Sequence, residues 1–407
     1  MKDNIVSNKE MRSRRLRRDI FGRRTDPVSL PDVKRHGLDY PLLIAVVLLC
    51  AFGLLMLFSA SYYYAQSYKG DGLYYVRRQL VYMLVGIGIM IGLSYVPYTL
   101  YSKRIVNYII YIALIILLVI VLAFGRTAQG AQRWIAIGPI TIQPSEFTKF
   151  VLVIVLANYM ARNRTYMKNF VSGLLVPGIL TLLPCVLILL QPNLSMVIII
   201  AIVFIVMVFL GGCNPKQLAV CFLLGLGGGL TYVFLKGGYQ LERITMAWKS
   251  WEEILKYSGD ETYQIVQSLY AFANGGLFGQ GLDASRQKLL FLPYRESDYI
   301  LPIIAEELGF VAVLLLLACY FFVIHRGYRI ARRCSDRFGS LLAAGMTSIL
   351  AVQVIINVAV VSGMMPATGQ TLPFISSGGT SLAAFLASIG IVLNVSRYTE
   401  KNKADRV

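Results

Sequence analysis

Acid–base chemistry on one side of this chain has to come from carboxylates. Only two histidines exist, His36 and His325, and both stand beside basic segments. That leaves no imidazole base or His-rich zinc site elsewhere. The carboxylates outside the basic segments concentrate between Glu242 and Glu307, with Asp71 and Glu146 earlier. Asp298 is the most suggestive, because it opens a long apolar run in Ser297-Asp298-Tyr299-Ile300. Its plain reading is a helix cap, since Ser and Asp favour helix N-termini. The helix dipole would keep such a carboxylate ionised at neutral pH. Ionised, it could accept a hydroxyl proton or hold a divalent cation such as Mg2+ or Mn2+. Glu306 and Glu307 fall about two to three turns deeper in the same run. In apolar surroundings they need partners, and Lys149 or Arg243 could serve; structural pairing is their plain reading.

Cations gather on the same side: Arg126, Arg133, Lys149, Lys236, Arg243, Arg286, Lys288 and Arg295. Arg and Lys bind phosphate oxygens with charge-assisted bonds, so the set suits a pyrophosphate. For any single one, interfacial snorkelling explains as much.

The elements that must position these groups are membrane spans. The chain has 407 residues, is 57% apolar and only 15% charged. Runs of ~20 apolar residues recur, each long enough to cross a bilayer core. The expected spans are 41–60, 77–96, 104–125, 146–161, 170–190, 193–211, 217–236, 299–324, 340–362 and 376–396. The fold class is therefore an all-α polytopic membrane protein of about ten helices. Charge supplies the orientation. Lys103, Arg104, Arg162, Arg164, Lys168, Lys216, the run Arg326 to Arg337 and the tail from Arg397 all fall on one side when the spans are counted from an inner N-terminus. By the positive-inside rule both termini are cytoplasmic. Residues 1–40 form a basic cytoplasmic tail, 41–397 the transmembrane domain, and 398–407 a second tail. A formal net charge of +18 in a soluble protein would suggest nucleic acid; here its placement suggests anionic lipid instead.

The outer connections are unequal. Residues 237–298 form one long loop with Trp248, Trp251 and the run Asn274-Gly275-Gly276-Leu277-Phe278-Gly279-Gln280-Gly281. Its aromatic and apolar content predicts interfacial helices within it. Gly86, Gly88 and Gly92 in the second span, and Gly225, Gly227, Gly228 and Gly229 in the seventh, predict close helix packing. None of the six cysteines pairs up in an outer loop, so no structural disulfide is expected.

Specific stretches resemble the SEDS family (shape, elongation, division and sporulation), the FtsW/RodA/SpoVE group. Gln132-Arg133-Trp134-Ile135, with Gln143-Pro144-Ser145-Glu146 and Lys149, is similar to its RWI…QPSE..K segment. Tyr263 to Ser268, the glycine run and Arg286-Gln287-Lys288-Leu289 resemble its outer loop. Leu292-Pro293 through Asp298, then Glu306-Glu307-Leu308-Gly309, resemble its LPE..TD…GEELG stretch. Thr368 to Ser376 with Gly378-Gly379 resembles its TG.TLP.iSyGGSS signature. The likeness runs from about residue 40 to 397 and sits nearer the division and sporulation branch. Departures are Tyr294 for the family's glutamate, Ser297 for its threonine, Ser377 for a tyrosine and Asn193 for an aspartate.

The resemblance implies a peptidoglycan glycosyltransferase at the outer face of the bacterial cytoplasmic membrane. It would join lipid II units, with undecaprenyl pyrophosphate leaving. Asp298 matches the family's essential aspartate, its general base. Apart from the resemblance, the chemistry of the gathered cations makes Lys149, Arg243, Lys288 and Arg133 the residues expected to hold the pyrophosphate. Glu306, Glu307, Gln287, Glu146 and Ser376 would support the site. A class B penicillin-binding protein and other membrane proteins of the division or elongation machinery are the implied partners. Two rival readings use the same residues. A lipid II flippase should place polar groups near the midplane at broken helices. A non-catalytic scaffold should be indifferent to loss of Asp298.

Overall fold

The computed structural model describes residues 37–128, 131–137, 140–236 and 260–399. The basic N-terminal tail, Arg243, Trp248 and Trp251 lie outside the described residues. Helix α1 (Tyr40–Lys69) shows how the local rules operate. The Asp39 carboxylate accepts from the Leu42 amide at 3.1 Å, and Pro41 occupies the first turn. The helix ends where Gly70 turns left-handed at φ 70°. It runs well past the apolar stretch that predicted it, because Tyr62 to Lys69 continue the helix beyond the hydrocarbon.

Helix α2 (Tyr74–Tyr95) and α3 (Arg104–Phe124) follow. Next comes a three-stranded antiparallel sheet of β1 (Arg126–Ala128), β2 (Ala131–Ile137) and β3 (Ile140–Ile142), in that order. Arg126 pairs with Trp134, and Ile135 with Ile142. This sheet is a departure from the all-α expectation, in a segment too short for a sequence period to settle. Helix α4 (Pro144–Arg162) leads to a π-turn at Val171–Leu175 that continues into α5 (Val176–Leu190). Then come α6 (Leu194–Leu210), α7 (Pro215–Lys236), α8 (Asp260–Gly275), α9 (Ile300–Arg333), α10 (Arg337–Val361) and α11 (Gly379–Ser396).

Each expected span coincides with a helix. Seven helices among the described residues are long and apolar enough to cross a membrane, with α6 a shorter apolar helix. By the length and composition of these helices the chain is a multi-pass membrane protein. Helices α10 and α11 are its core, 78% and 83% buried across their apolar windows, against 17% and 22% for α2 and α3. The exposed faces of α2 and α3 are apolar, as a lipid boundary requires. Small residues let α2 and α11 approach: a Cβ on Gly390 would lie 2.5 Å from the Met90 carbonyl, and one on Gly86 2.6 Å from Leu386. Gly88, Gly92, Gly225, Gly227 and Gly228 instead face open space, so the packing expectation holds for Gly86 alone among those with a described environment.

The two ends of the bundle differ in chemistry. At one end Asp39 pairs with Arg326, Arg162 reaches the Ser102 carbonyl, Arg337 reaches the Gly211 carbonyl, and Tyr98 stacks on Phe338. That cationic end is the one the positive-inside rule assigns to the cytoplasm, an expectation that the labelling experiment below tests. The other end holds the sheet, the segment 276–299 and the segment 362–378.

Candidate active site

Asp298 sits where three elements of this second end meet. The N-cap of α9 is Tyr299, and no side chain caps the helix. The plain reading of Asp298 as a cap is thereby corrected. Its backbone carbonyl accepts from the Asn357 side chain of α10 at 2.9 Å, and the same amide group donates to the Gln370 carbonyl at 2.8 Å. A Cβ on Gly369 would lie 3.5 Å from Asp298 Oδ2, and Gly369 has φ 68°. A glycine there lets the 368–376 segment lie against the carboxylate. Asp298 keeps part of its surface accessible, yet burial of the carboxyl itself pushes its pKa up to about 7. Glu296 and Glu146 push the same way, while the Ser297 hydroxyl opposes them. The expectation of a carboxylate held fully ionised by the dipole fails because desolvation dominates. Burial also raises the Glu296 carboxyl, against its own backbone hydrogen bond and the Arg295 charge.

The surrounding backbone is strained. Leu290 (φ 73°), Tyr294 (φ 54°) and Phe374 (φ 69°) are left-handed without being glycine. Each costs roughly 1–3 kcal/mol, and such residues gather at functional sites. The segment bearing Phe374 is pinned by Ser376, whose hydroxyl accepts from the Leu372 amide at 2.8 Å and whose carbonyl accepts from Gln79 at 2.9 Å. The Ser377 amide then donates to the Glu296 carbonyl at 2.8 Å.

Beneath this junction lies a buried polar chain. Lys149 on α4 is completely buried and donates to Glu146 at 2.8 Å and to Gln353 at 2.6 Å; Gln353 donates to the Thr371 carbonyl at 3.0 Å. The partner of Lys149 is thus Glu146, not Glu306 or Glu307. Sequence reasoning passed over Gln353 and Asn357, which tie α10 to both segments. Neutral amides in an apolar helix, spaced one turn apart, were the available signal.

The glutamates of α9 form a separate cluster. Glu307 accepts from Lys288 at 2.9 Å and from Ser59 at 2.7 Å, and Lys288 also pairs with Asp283. Glu306 accepts from the Gln287 and Arg286 amides at 3.2 and 3.3 Å, from Asn274, and from Ser285. Gln287 contributes through its backbone. Both carboxylates are committed to holding the 283–288 segment on α9. Arg133 is likewise engaged, its guanidinium donating to the Gln191 and Pro192 carbonyls. Arg295 differs. It is 3% exposed, lies 4.6 Å over the Tyr64 ring, and donates from Nη1 to the Leu292 carbonyl at 2.8 Å, while its buried Nε and Nη2 have no hydrogen-bond partner among the described residues. Arg243 lies outside the described residues.

No three His, Cys, Asp or Glu side chains converge as a metal-ligand set among the described residues. A divalent ion at Asp298 would draw most of its shell from phosphate oxygens and water, as Mg2+ ordinarily does.

The departures from the family pattern are accommodated by geometry. Asn193 caps α6, accepting from the Met196 amide at 3.3 Å as an aspartate would. Ser377 acts through its amide, which any residue supplies. The Tyr294 carbonyl accepts from the Ser297 and Tyr299 amides at 3.0 and 3.2 Å, while its side chain is exposed.

Comparison with known proteins agrees with these motifs. The FtsW/RodA/SpoVE family model, described as a cell cycle protein, matches residues 40–401. The chain is 37% identical over 376 residues to the probable peptidoglycan glycosyltransferase FtsW of Bacillus subtilis strain 168, covering 90% of this chain and 93% of that one. It is 38% identical to stage V sporulation protein E of the same strain, covering 90% and 99%. Among solved structures, a chain of a peptidoglycan synthase complex that coordinates polymerization and crosslinking superposes with TM-score 0.72 at 28% identity, covering 88% and 98%. The rod shape determining protein RodA of Thermus thermophilus gives TM-score 0.63 at 27% identity, covering 89% and 98%.

Proposed function

The chain belongs to the FtsW/RodA/SpoVE family, and from that membership we propose that it is a peptidoglycan glycosyltransferase that polymerises lipid II with Asp298 as general base. One observation carries the assignment of the base: a partly accessible carboxylate, titrating near 7, at the junction of α9 with the 368–376 segment. A general base works best with a pKa close to the operating pH.

In the proposed step the C4 hydroxyl of one sugar approaches Asp298. Its oxygen forms a bond to the anomeric carbon of a second lipid-linked sugar while the carboxylate takes the proton. The bond from that carbon to the phosphate oxygen breaks, and undecaprenyl pyrophosphate leaves with the electron pair. The leaving group needs cations. Lys149, Lys288 and Arg133 already hold protein partners, so each would exchange a partner for a phosphate oxygen. Arg295 would not, since two of its nitrogens are unpartnered, and it stands three residues before the base. We assign Arg295 the first role and Lys149, Lys288, Arg133 and Arg243 secondary ones.

A flippase reading draws some support from the break in α9 at Gly309, where φ is 81° and ψ 177°. Transporters use such breaks to line a cavity. Here the break is filled by residues 276–281, so polymerisation is the better reading. A membrane-anchored class B penicillin-binding protein is the proposed partner, on the analogy of the synthase complex. The test is polymer formation from labelled lipid II by the purified chain with that partner. Absence of polymer from an intact complex would return the flippase reading to first place.

A further inference from the structure

Helix α9 carries a second feature at the end opposite Asp298. His325, Arg329, Arg332 and Arg333 line a cavity of about 300 Å3. Their offsets of four, seven and eight residues put them on one face of the helix. Arg326, on the neighbouring face, is committed to Asp39 at 3.0 Å. Among the described residues no carboxylate lies within ion-pair distance of His325, Arg329 or Arg332. Nearby Asp336 is also occupied, because it caps α10 by accepting from the Gly339 amide at 2.9 Å.

The same face continues toward the bilayer as exposed apolar surface. Phe321 is 69% exposed and its ring stacks on His325 with centroids 6.1 Å apart; Leu314, two turns earlier, is 49% exposed. Leu314, Phe321, His325 and Arg332 recur at helical spacing along one stripe. An apolar strip that ends in a cationic cavity is complementary to an amphiphile with an anionic head. A free anion would use the cavity and gain nothing from the strip. Single interfacial cations snorkel without a defined ligand, but several cations around one cavity next to an aromatic ring make a directional site. Arg is suited to phosphate because its fork donates two parallel hydrogen bonds.

The geometry points to a binding site for the phosphate headgroup of an anionic phospholipid, formed by His325, Arg329, Arg332 and Arg333, with its acyl chain along Phe321 and Leu314. The site lies at the far end of the 34-residue α9 from Asp298, and nothing in the proposed glycosyl transfer requires it.

Native mass spectrometry of the purified full chain, with phosphatidylglycerol or phosphatidylcholine added to the detergent, tests the proposal. The wild-type chain should retain phosphatidylglycerol with at least ~10-fold preference, the scale of one charge-assisted bond. The Arg329→Gln/Arg332→Gln variant should lose that preference, and Arg329→Lys/Arg332→Lys should keep part of it. A Phe321→Ala variant should weaken lipid retention while leaving the cationic cavity intact. No preference in the wild type, or an equal preference in the Gln variant of unchanged melting temperature, would overturn the proposal. Displacement of the lipid by millimolar inorganic phosphate would also overturn it, in favour of a free-anion site.

Discussion

Burial that lifts the Asp298 pKa to about 7 has a definite consequence for the proposed reaction. A protonated carboxylic acid cannot accept the attacking hydroxyl's proton, so polymerisation should fall as pH drops through about 7 and plateau above it. Glu296 adds negative charge that raises Asp298. The Glu296→Gln variant should therefore shift this acid limb to lower pH. A pH–rate profile of that variant with an unmoved limb would separate Glu296 from the base. The position of Asp298 was readable from Ser297-Asp298 ahead of an apolar run, but its protonation was not. A helix dipole is worth ~0.3–1 kcal/mol, less than one pKa unit. The rise from an ordinary 3.8 to about 7 is far larger, and it arises from packing by α10 and the 368–376 segment, both distant in sequence.

An interlock ties residues 276–281 to α9, the helix that follows Asp298. The Gly309 break frees backbone groups, and the neighbouring segment takes them up: Phe310 and Val311 amides donate to the Gly276 and Leu277 carbonyls at 3.0 and 3.1 Å, while Gln280 and Gly281 amides donate to the Glu306 and Glu307 carbonyls at 2.9 and 3.0 Å. A Cβ on Gly279 would lie 2.2 Å from the Glu307 carbonyl, whereas one on Gly276 meets nothing. Both have positive φ, so alanine strains each by roughly 1–3 kcal/mol. Gly279→Ala should lower the melting temperature several degrees more than Gly276→Ala, and equal shifts would show that the interlock yields. Lys288→Met should also destabilise strongly, by ~3–5 kcal/mol, because Glu307 would stay buried without its cation. The Lys288→Met/Glu307→Leu pair should be milder than Lys288→Met alone. A double variant no better than the single would show that the charges are not coupled. The sequence motifs Gly275-Gly276 to Gly281 and Glu306 to Gly309 were both visible as patterns. That they clasp each other was not, since neither carries a signal for its partner.

At the scale of the whole molecule, apolar run length located the helices well, and charge separated the two ends. Cysteine introduced at 270 should be labelled by an impermeant thiol reagent in spheroplasts of a cysteine-free variant, and cysteine at 332 should not. The reverse pattern would invert the topology. Apolarity misjudged helix ends, because α1 and α9 extend to Lys69 and Arg333 through aromatic and basic residues that water or headgroups solvate. It also missed the sheet at 126–142, whose strands of three to seven residues hold no long period. The core of α10 and α11 was legible as helix, while the amide bridges of Gln353 and Asn357 needed three dimensions. The most direct test is glycan polymer formed from labelled lipid II by purified wild-type chain and by Asp298→Asn, each in complex with the partner transpeptidase. Asparagine keeps the size and cannot take the proton, so polymer should fall by ~10²-fold or more while the complex stays intact. Near wild-type polymer from Asp298→Asn would contradict the assignment of the base.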